Sequence, residues 1–268
     1  MTVRVEKNGF VTTIIIDRPK ARNAMNPETA DLLVAEIQKF ENDDSARVAV
    51  LYGSGGAFCA GWDLKHASAG GAHLELTSLK LPVPAGQPMP RGPLGPTRLS
   101  ITKPTIAAVD GPAVAGGMEL SLWCDLRVVD AESGYFGVYC RRWGVPLLDG
   151  GTVRLPRLVG QSRALEIIMT GRTVRADEAL RIGLCERVAP AGTVRQAAEA
   201  LANEIGRFPP ECVKADRKSV YETYGLPVRE ALAVEWVNGE KALQVEGIAG
   251  ATRFVGGTGR HGDFGYLS

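Results

Sequence analysis

Long hydrophobic runs are missing from this chain. Its opening segment, MTVRVEKNGFVTTIIIDRP, holds only a short apolar stretch interrupted by Thr12 and Thr13, unlike a membrane span or a signal peptide. A surplus of charge is missing too. Thirty-one Lys and Arg stand against 30 Asp and Glu, for a formal net charge of +1, so no global field favours nucleic acid or an anionic membrane, and any anion site must be local. The five cysteines, Cys59, Cys124, Cys140, Cys185 and Cys212, are scattered, odd in number and without a C-x-x-C pair. That argues against a disulfide framework and a zinc site, and points to a reducing, cytoplasmic compartment. His66, His73 and His261 lack metal-ligand spacing. The absence of a P-loop, of a G-x-G-x-x-G opening a helix and of a G-x-S-x-G elbow disfavours kinase, dehydrogenase and serine-hydrolase chemistry.

What is present is an ordinary globular composition, 45% hydrophobic and 23% charged, in a chain long enough for one large domain or somewhat more. Val3–Glu6 and Phe10–Ile16 are β-rich and flank Asn8-Gly9, a hairpin signal. Asn26 and Pro27 then form a helix start, with Ala30, Leu33, Val34 and Ile37 at i, i+3, i+4 and i+7. Strand character returns at Val48–Tyr52, Thr105–Val109 and Leu126–Val129, so strands and helices interleave as in an α/β fold. From Gln161 the pattern is mostly helical: Ala164–Met169 stops before Gly171, Ala176–Ile182 stops before Gly183, and Val194, Ala197, Ala198, Leu201 and Ile205 form a stripe. These features divide the chain into a core, 1–191, and a C-terminal helical region, 192–268. Residues 66–100, rich in glycine and proline, cannot sustain a long helix or a central strand. They read as a linker or, between two chemically suggestive segments, as a mobile loop beside a substrate pocket.

The first of those segments is KPTIAAVDGPAVAGGMELSLWCD, residues 103–125. A strand meets Asp110-Gly111-Pro112, and Ala115-Gly116-Gly117 then opens an apolar helix. A helix start offers unpaired N–H groups and a positive partial charge, and glycines let an oxygen approach the backbone. This is an oxyanion-site pattern. Glu119, three residues after Gly116, falls on the same helix face, either as a catalytic carboxylate or as a partner to the helix N-terminus. The second segment, GAFCAGWDLK at 56–65, again places small residues before a helix start after a strand.

Together these segments resemble the crotonase (enoyl-CoA hydratase/isomerase) superfamily. The resemblance extends through DRPKARNAMN at 17–26, AFCAGWDLK at 57–65, KPTIAAVDGPAVAGGMEL at 103–120, GGTVRLPRLVG at 150–160 and MTGRTVRADEALRIGL at 169–184. It implies an α/β fold, a spiral of ββα units followed by a helical C-terminal trimerisation region, in a homotrimer or a pair of trimers. The implied substrate is an acyl-CoA, with no cofactor beyond its CoA moiety. Backbone N–H groups of Trp62 and Gly116 would bind the thioester oxygen, with the Trp62 indole lining or narrowing the acyl pocket. Ala60, Asp63, Leu64 and Lys65, with Arg22 and Ala24, match positions that cradle CoA, although Lys65 and Arg22 read equally well as solvated charges.

Hydratases of the family hold water between two carboxylates. Glu119 matches the first, but in FGVYCRRWGVPLLDGGTVRL, residues 136–155, Cys140 occupies the place of the second. A thiol with an ordinary pKa near 8.5 stays mostly protonated at neutral pH and does not replace a carboxylate. Asp149 is the nearest substitute, as an active-site carboxylate or as the N-cap of the next helix; the acidic residue of related isomerases aligns more closely with Leu148. The expected chemistry is hydration of a 2-enoyl-CoA or shift of its double bond. Decarboxylation of a malonyl-type CoA and catalytically weak acyl-CoA binding are the alternatives.

Overall fold

Asn8 pairs with Val11 where the first hairpin closes, so β1 (Val3–Asn8) runs antiparallel to β2 (Val11–Ile16). The connecting residues are Gly9 and Phe10, one place later than the Asn-Gly dipeptide suggests, because Gly9 is the residue that takes the positive φ, 56°. The chain is described as a computed structural model covering residues 1–71, 76–84 and 87–259. His73 and His261 lie outside those residues.

Asn26 caps α1 (Pro27–Glu41) by accepting the N–H of Thr29 at 3.0 Å, with Pro27 at the first helical position. The chain then returns as β3 (Val48–Gly53) and passes through the three-residue helix α2 (Leu64–His66). β4 (Thr105–Val109), β5 (Pro112–Val114) and α3 (Gly116–Trp123) follow in a ββα succession, and β6 (Leu126–Asp130) and β7 (Tyr135–Gly137) repeat the strand pair. Next come α4 (Gly151–Val159), α5 (Gln161–Thr170), β8 (Thr173–Arg175), α6 (Ala176–Arg181) and β9 (Arg187–Ala189). The first sheet has the order β1-β2-β3-β4-β6-β9, parallel from β2 onward, and the second is β5-β7-β8. The β4–β5 and β6–β7 steps therefore cross from one sheet to the other, which is the spiral.

Strands buried on both faces carry apolar residues without a polar alternate. Successive residues still point to opposite sides. Val48, Val50, Ile106, Ala108 and Val128 face one way and pack on Ala198, Leu201 and Ala202 of α7 (Val194–Gly206). Ala49, Leu51, Ala107, Val109 and Val129 face the other way, towards α1 and α3. Thus α7, the first helix after residue 192, packs on the sheet. After Pro209, α8 (Pro210–Glu222), α9 (Val228–Ala242) and α10 (Ile248–Val255) complete the chain. Arg217 of α8 ties to Asp125 at 2.9 Å and to the Ile101 carbonyl at 2.6 Å, and so anchors this region behind α3.

The end of the glycine- and proline-rich stretch is not a mobile loop. Gly92 to Thr97 are all buried. Gly92 and Gly95 exchange both backbone hydrogen bonds at 2.9 Å, closing a tight turn with Pro93 and Leu94 at its tip. Proline lowers the conformational freedom lost on ordering this turn, and glycine fits where a Cβ on residue 92 or 95 would clash with its neighbours. Among the described residues no helix is long and apolar enough to cross a membrane.

Candidate active site

The loop before α2 and the turn before α3 are stitched together by main-chain bonds. Cys59 donates to the Pro112 carbonyl at 3.1 Å, and Val114 donates to the Cys59 carbonyl at 3.0 Å. The fit leaves no room for side chains. A Cβ on Gly61 would lie 2.8 Å from the Gly116 nitrogen, and one on Gly117 would lie 1.9 Å from the Cys59 oxygen. Ala115, which precedes α3, adopts φ 53° and ψ −128°, a conformation that costs a residue with a Cβ about 1–3 kcal/mol and marks a geometry the surroundings enforce. Its N–H is held by the Gly137 carbonyl at 2.7 Å.

Trp62 lies opposite Met25 in a parallel bridge, in which Met25 donates to the Gly61 carbonyl and Asp63 donates to the Met25 carbonyl. Because successive peptides of an extended segment point to opposite sides, the Trp62 N–H is directed away from Met25. The Gly116 N–H, at the start of α3, donates to no acceptor among the described residues. The structure thus brings the two expected donors onto adjoining loops, with Gly61 between them.

Glu119 lies in the first turn of α3 with 3% of its surface exposed. Its Oε1 accepts the N–H of Asp149 at 2.9 Å and that of Gly151 at 2.8 Å. Burial and then the charge of Asp149 push its carboxyl up to about 7, against the opposite pull of the backbone donors. Asp149 does not cap α4, whose N-cap is Gly150 without a side-chain bond. Its Oδ1 instead accepts the N–H of Leu94 at 3.0 Å and the hydroxyl of Thr97. Burial raises its pKa, and these two donors oppose that rise. Leu148, its neighbour, is exposed.

Cys140 is buried near Glu119. Desolvation, then the Glu119 charge, push the thiol up, while Arg141 pulls the other way. The thiol therefore stays protonated at neutral pH, and the position that the resemblance matches to a second carboxylate carries a neutral group.

The positions matched to CoA contacts converge as well. Ala60 donates to the Arg22 carbonyl at 3.0 Å, so the segments around 22–25 and 60–63 run side by side. Arg22, Leu64 and Lys65 are exposed, and Ala24 and Ala60 are half-buried. Asp63 is engaged within the fold: it caps α2 through the N–H groups of Lys65 and His66 and pairs with Arg18 at 2.9 Å.

Three organising residues lie in segments that carry the resemblance, Arg18 and Asn23 in 17–26 and Arg154 in 150–160, without a role of their own in the sequence. Arg18 binds the Ala24 carbonyl as well as Asp63. Asn23, buried and left-handed at φ 56°, donates to the carbonyls of Ser54 at 2.8 Å and Ala57 at 2.6 Å; an asparagine tolerates that conformation, which was the available signal. Arg154 donates to the carbonyls of Asp149 at 2.9 Å and Thr97 at 2.8 Å. No group of three His, Cys, Asp or Glu side chains among the described residues is placed to hold a metal ion.

Comparison with known proteins shows the family. Residues 6–256 match the family described as enoyl-CoA hydratase/isomerase. The chain is 35% identical over 246 residues to the enoyl-CoA hydratase EchA19 of Mycobacterium tuberculosis, covering 89% of this chain and 87% of that protein. It is also 35% identical over 231 residues to the carnitinyl-CoA dehydratase of Salmonella typhi, covering 85% and 84% of the two chains. Among solved structures, an enoyl-CoA hydratase from Mycobacterium tuberculosis H37Rv superposes with a TM-score of 0.84 at 34% identity, covering 95% of each chain. The fold, the coverage and the identity together place this chain in the enoyl-CoA hydratase/isomerase family of the crotonase superfamily.

Proposed function

We propose that this protein adds water reversibly to a 2-enoyl-CoA, with the Trp62 and Gly116 N–H groups holding the thioester oxygen and Glu119 moving the proton. The observation that carries the reading is the approach of Gly61 to the Gly116 nitrogen. A Cβ there would be 2.8 Å away, so the two backbone segments approach as closely as glycine allows. Negative charge developing on a thioester oxygen at that place would meet preorganised donors and the positive end of α3. One such donor contributes roughly 3 kcal/mol in a transition state.

Glu119, raised to about 7, is a base matched to neutral pH, where a group near its pKa both accepts and returns a proton. Asp149 supports it through its peptide N–H and raises its pKa by charge. The reading needs no cofactor beyond the CoA carried by the substrate. Arg22, Ala24, Ala60, Leu64 and Lys65 border the proposed CoA path. Crotonyl-CoA hydration by wild type and by a Glu119 variant tests the reading. Glu119→Gln is expected to lose at least about a hundredfold in turnover, the scale of lost general acid/base catalysis. Unchanged turnover would remove Glu119 from the mechanism.

Cys140 favours double-bond isomerisation as the second reading. A protonated thiol in place of a second carboxylate leaves one strong base, which suffices for a proton shift between two carbons. Product analysis with 2-enoyl and 3-enoyl thioesters separates the two reactions. We also propose a homotrimer or a dimer of trimers, since Val220, Leu232, Trp236, Val237 and Ile248 leave a large apolar area exposed on the C-terminal helices. Light scattering at a monomer mass would exclude it.

A further inference from the structure

The turn at 92–95 reaches the site from outside the two loops that build it. Leu94, at its tip, is 2% exposed. Its Cδ2 lies 2.5 Å from where a Cβ on Gly116 would be, and its Cγ lies 2.9 Å from that point. The isopropyl end of Leu94 therefore fills the space that a side chain at residue 116 would occupy. It stands beside the peptide whose N–H is proposed to bind the thioester oxygen. Leu147 approaches from another side: its Cδ1 is 3.1 Å from a Cβ position on Gly151, next to the Glu119 carboxylate.

Nothing in Leu94 itself fixes it there. The turn is held by the carboxylate of Asp149, which takes the Leu94 N–H at 3.0 Å and the Thr97 hydroxyl. Arg154 spans the same two segments through the Asp149 and Thr97 carbonyls. Space around the latch is closed: a Cβ on Gly92 would strike Thr97 Oγ1 and Asp149 Oδ1, and one on Gly95 would lie 2.9 Å from the Ala30 carbonyl. The tip can shift only if the latch opens.

On the acyl-CoA reading above, we propose that Leu94 limits bulk at the carbon next to the thioester carbonyl, with Asp149 as its positioning residue, so that the site accepts acyl groups unbranched at C2. A wall beside the oxyanion donor meets the first carbons of the acyl group before it meets the chain end. Asp149 acts here through Leu94 and takes no proton from substrate.

The test uses saturated thioesters, whose binding does not depend on turnover: n-butyryl-CoA and isobutyryl-CoA, which differ in branching at C2. Wild-type protein is expected to prefer the straight chain at least tenfold, the size of one misfitted methyl in an apolar pocket. Leu94→Ala should narrow the preference to within about threefold, with Leu94→Val falling between if the larger truncation does not fold. Asp149→Ala should narrow it as Leu94→Ala does. Asp149→Asn, which keeps an oxygen acceptor for the Leu94 N–H and the Thr97 hydroxyl, should retain it. Equal binding by wild type, or an undiminished preference in folded Leu94→Ala or Leu94→Val, overturns the role of Leu94. Loss of preference in Asp149→Asn equal to that in Asp149→Ala overturns the positioning role. Binding of neither thioester overturns the acyl-CoA reading and this inference with it, whereas selective binding without hydration of crotonyl-CoA removes only the proposed reaction.

Discussion

Glu119 Oε1 and the Gly151 nitrogen are 2.8 Å apart, and a Cβ on Gly151 would lie 2.9 Å from Glu119 Cγ. The carboxylate is thus clasped by the backbone at the start of α4, at a distance that only glycine permits. That clasp stabilises the ionised form, while burial and Asp149 favour the protonated one. The balance near neutrality suits proton transfer in both directions.

Activity should follow the ionisation of Glu119. If the carboxylate acts as the base for water, hydration rises with pH through about 7 and levels off above it. A pH profile of kcat/KM checks this. A flat profile between pH 5.5 and 8.5, with roughly constant substrate binding, would assign the base to another group.

Stability carries the opposite sign. Glu119 is raised in the folded chain from the ordinary 4.5 to about 7, so folding favours its protonated form. The corresponding stabilisation is full below pH 4.5 and is lost as pH rises through about 7, by on the order of 3 kcal/mol for a shift of that size. Urea unfolding of wild type and Glu119→Gln at pH 6 and pH 8 should show the variant gaining relative stability at the higher pH. An equal difference at both values would contradict the shift.

Gly61→Ala places a methyl 2.8 Å from the Gly116 nitrogen, at a residue whose φ is 93°. Both effects act on the same loop, so a loss of about 1–3 kcal/mol in stability is expected. Turnover should fall by at least about tenfold, because displacement of the Trp62 or Gly116 donor weakens oxyanion binding. Circular dichroism beside the assay separates a folded, impaired protein from an unfolded one.

Cys140→Glu adds a carboxyl to a buried position already influenced by the Glu119 charge. Two like groups there disfavour double ionisation, so the activity limb assigned to Glu119 should move to higher pH. An unchanged limb in a folded variant would show that residue 140 does not face Glu119. Cys140→Ala, by contrast, should leave that limb slightly lower or unmoved, since the native thiol is neutral.

Much of the frame was legible because it depends on local rules. Asn26-Pro27 caps and starts α1 wherever that segment lies, and the apolar character of residues 105–109 marks a buried strand without knowledge of its neighbours. The paired segments at 56–65 and 103–125 were legible through their glycines, whose packing against Gly116 and Cys59 the structure makes explicit. The mobile reading of 66–100 failed at its end for a physical reason. Proline and glycine forbid regular structure there, but they do not forbid burial, and Gly92–Thr97 found partners in residues more than fifty positions later.

Glu119 shows the same division. By itself the sequence determined that a carboxylate stands in the first turn of an apolar helix opened by Ala115-Gly116-Gly117, since helix starts and side-chain spacing are local. Only the tertiary structure decided what that carboxylate meets: the N–H groups of Asp149 and Gly151, a neutral Cys140 and a second acid turned towards Leu94 and Thr97. Those contacts join residues about twenty to fifty-five positions apart, and their effect on a proton depends on burial and on distances of a few ångströms, which no local pattern encodes.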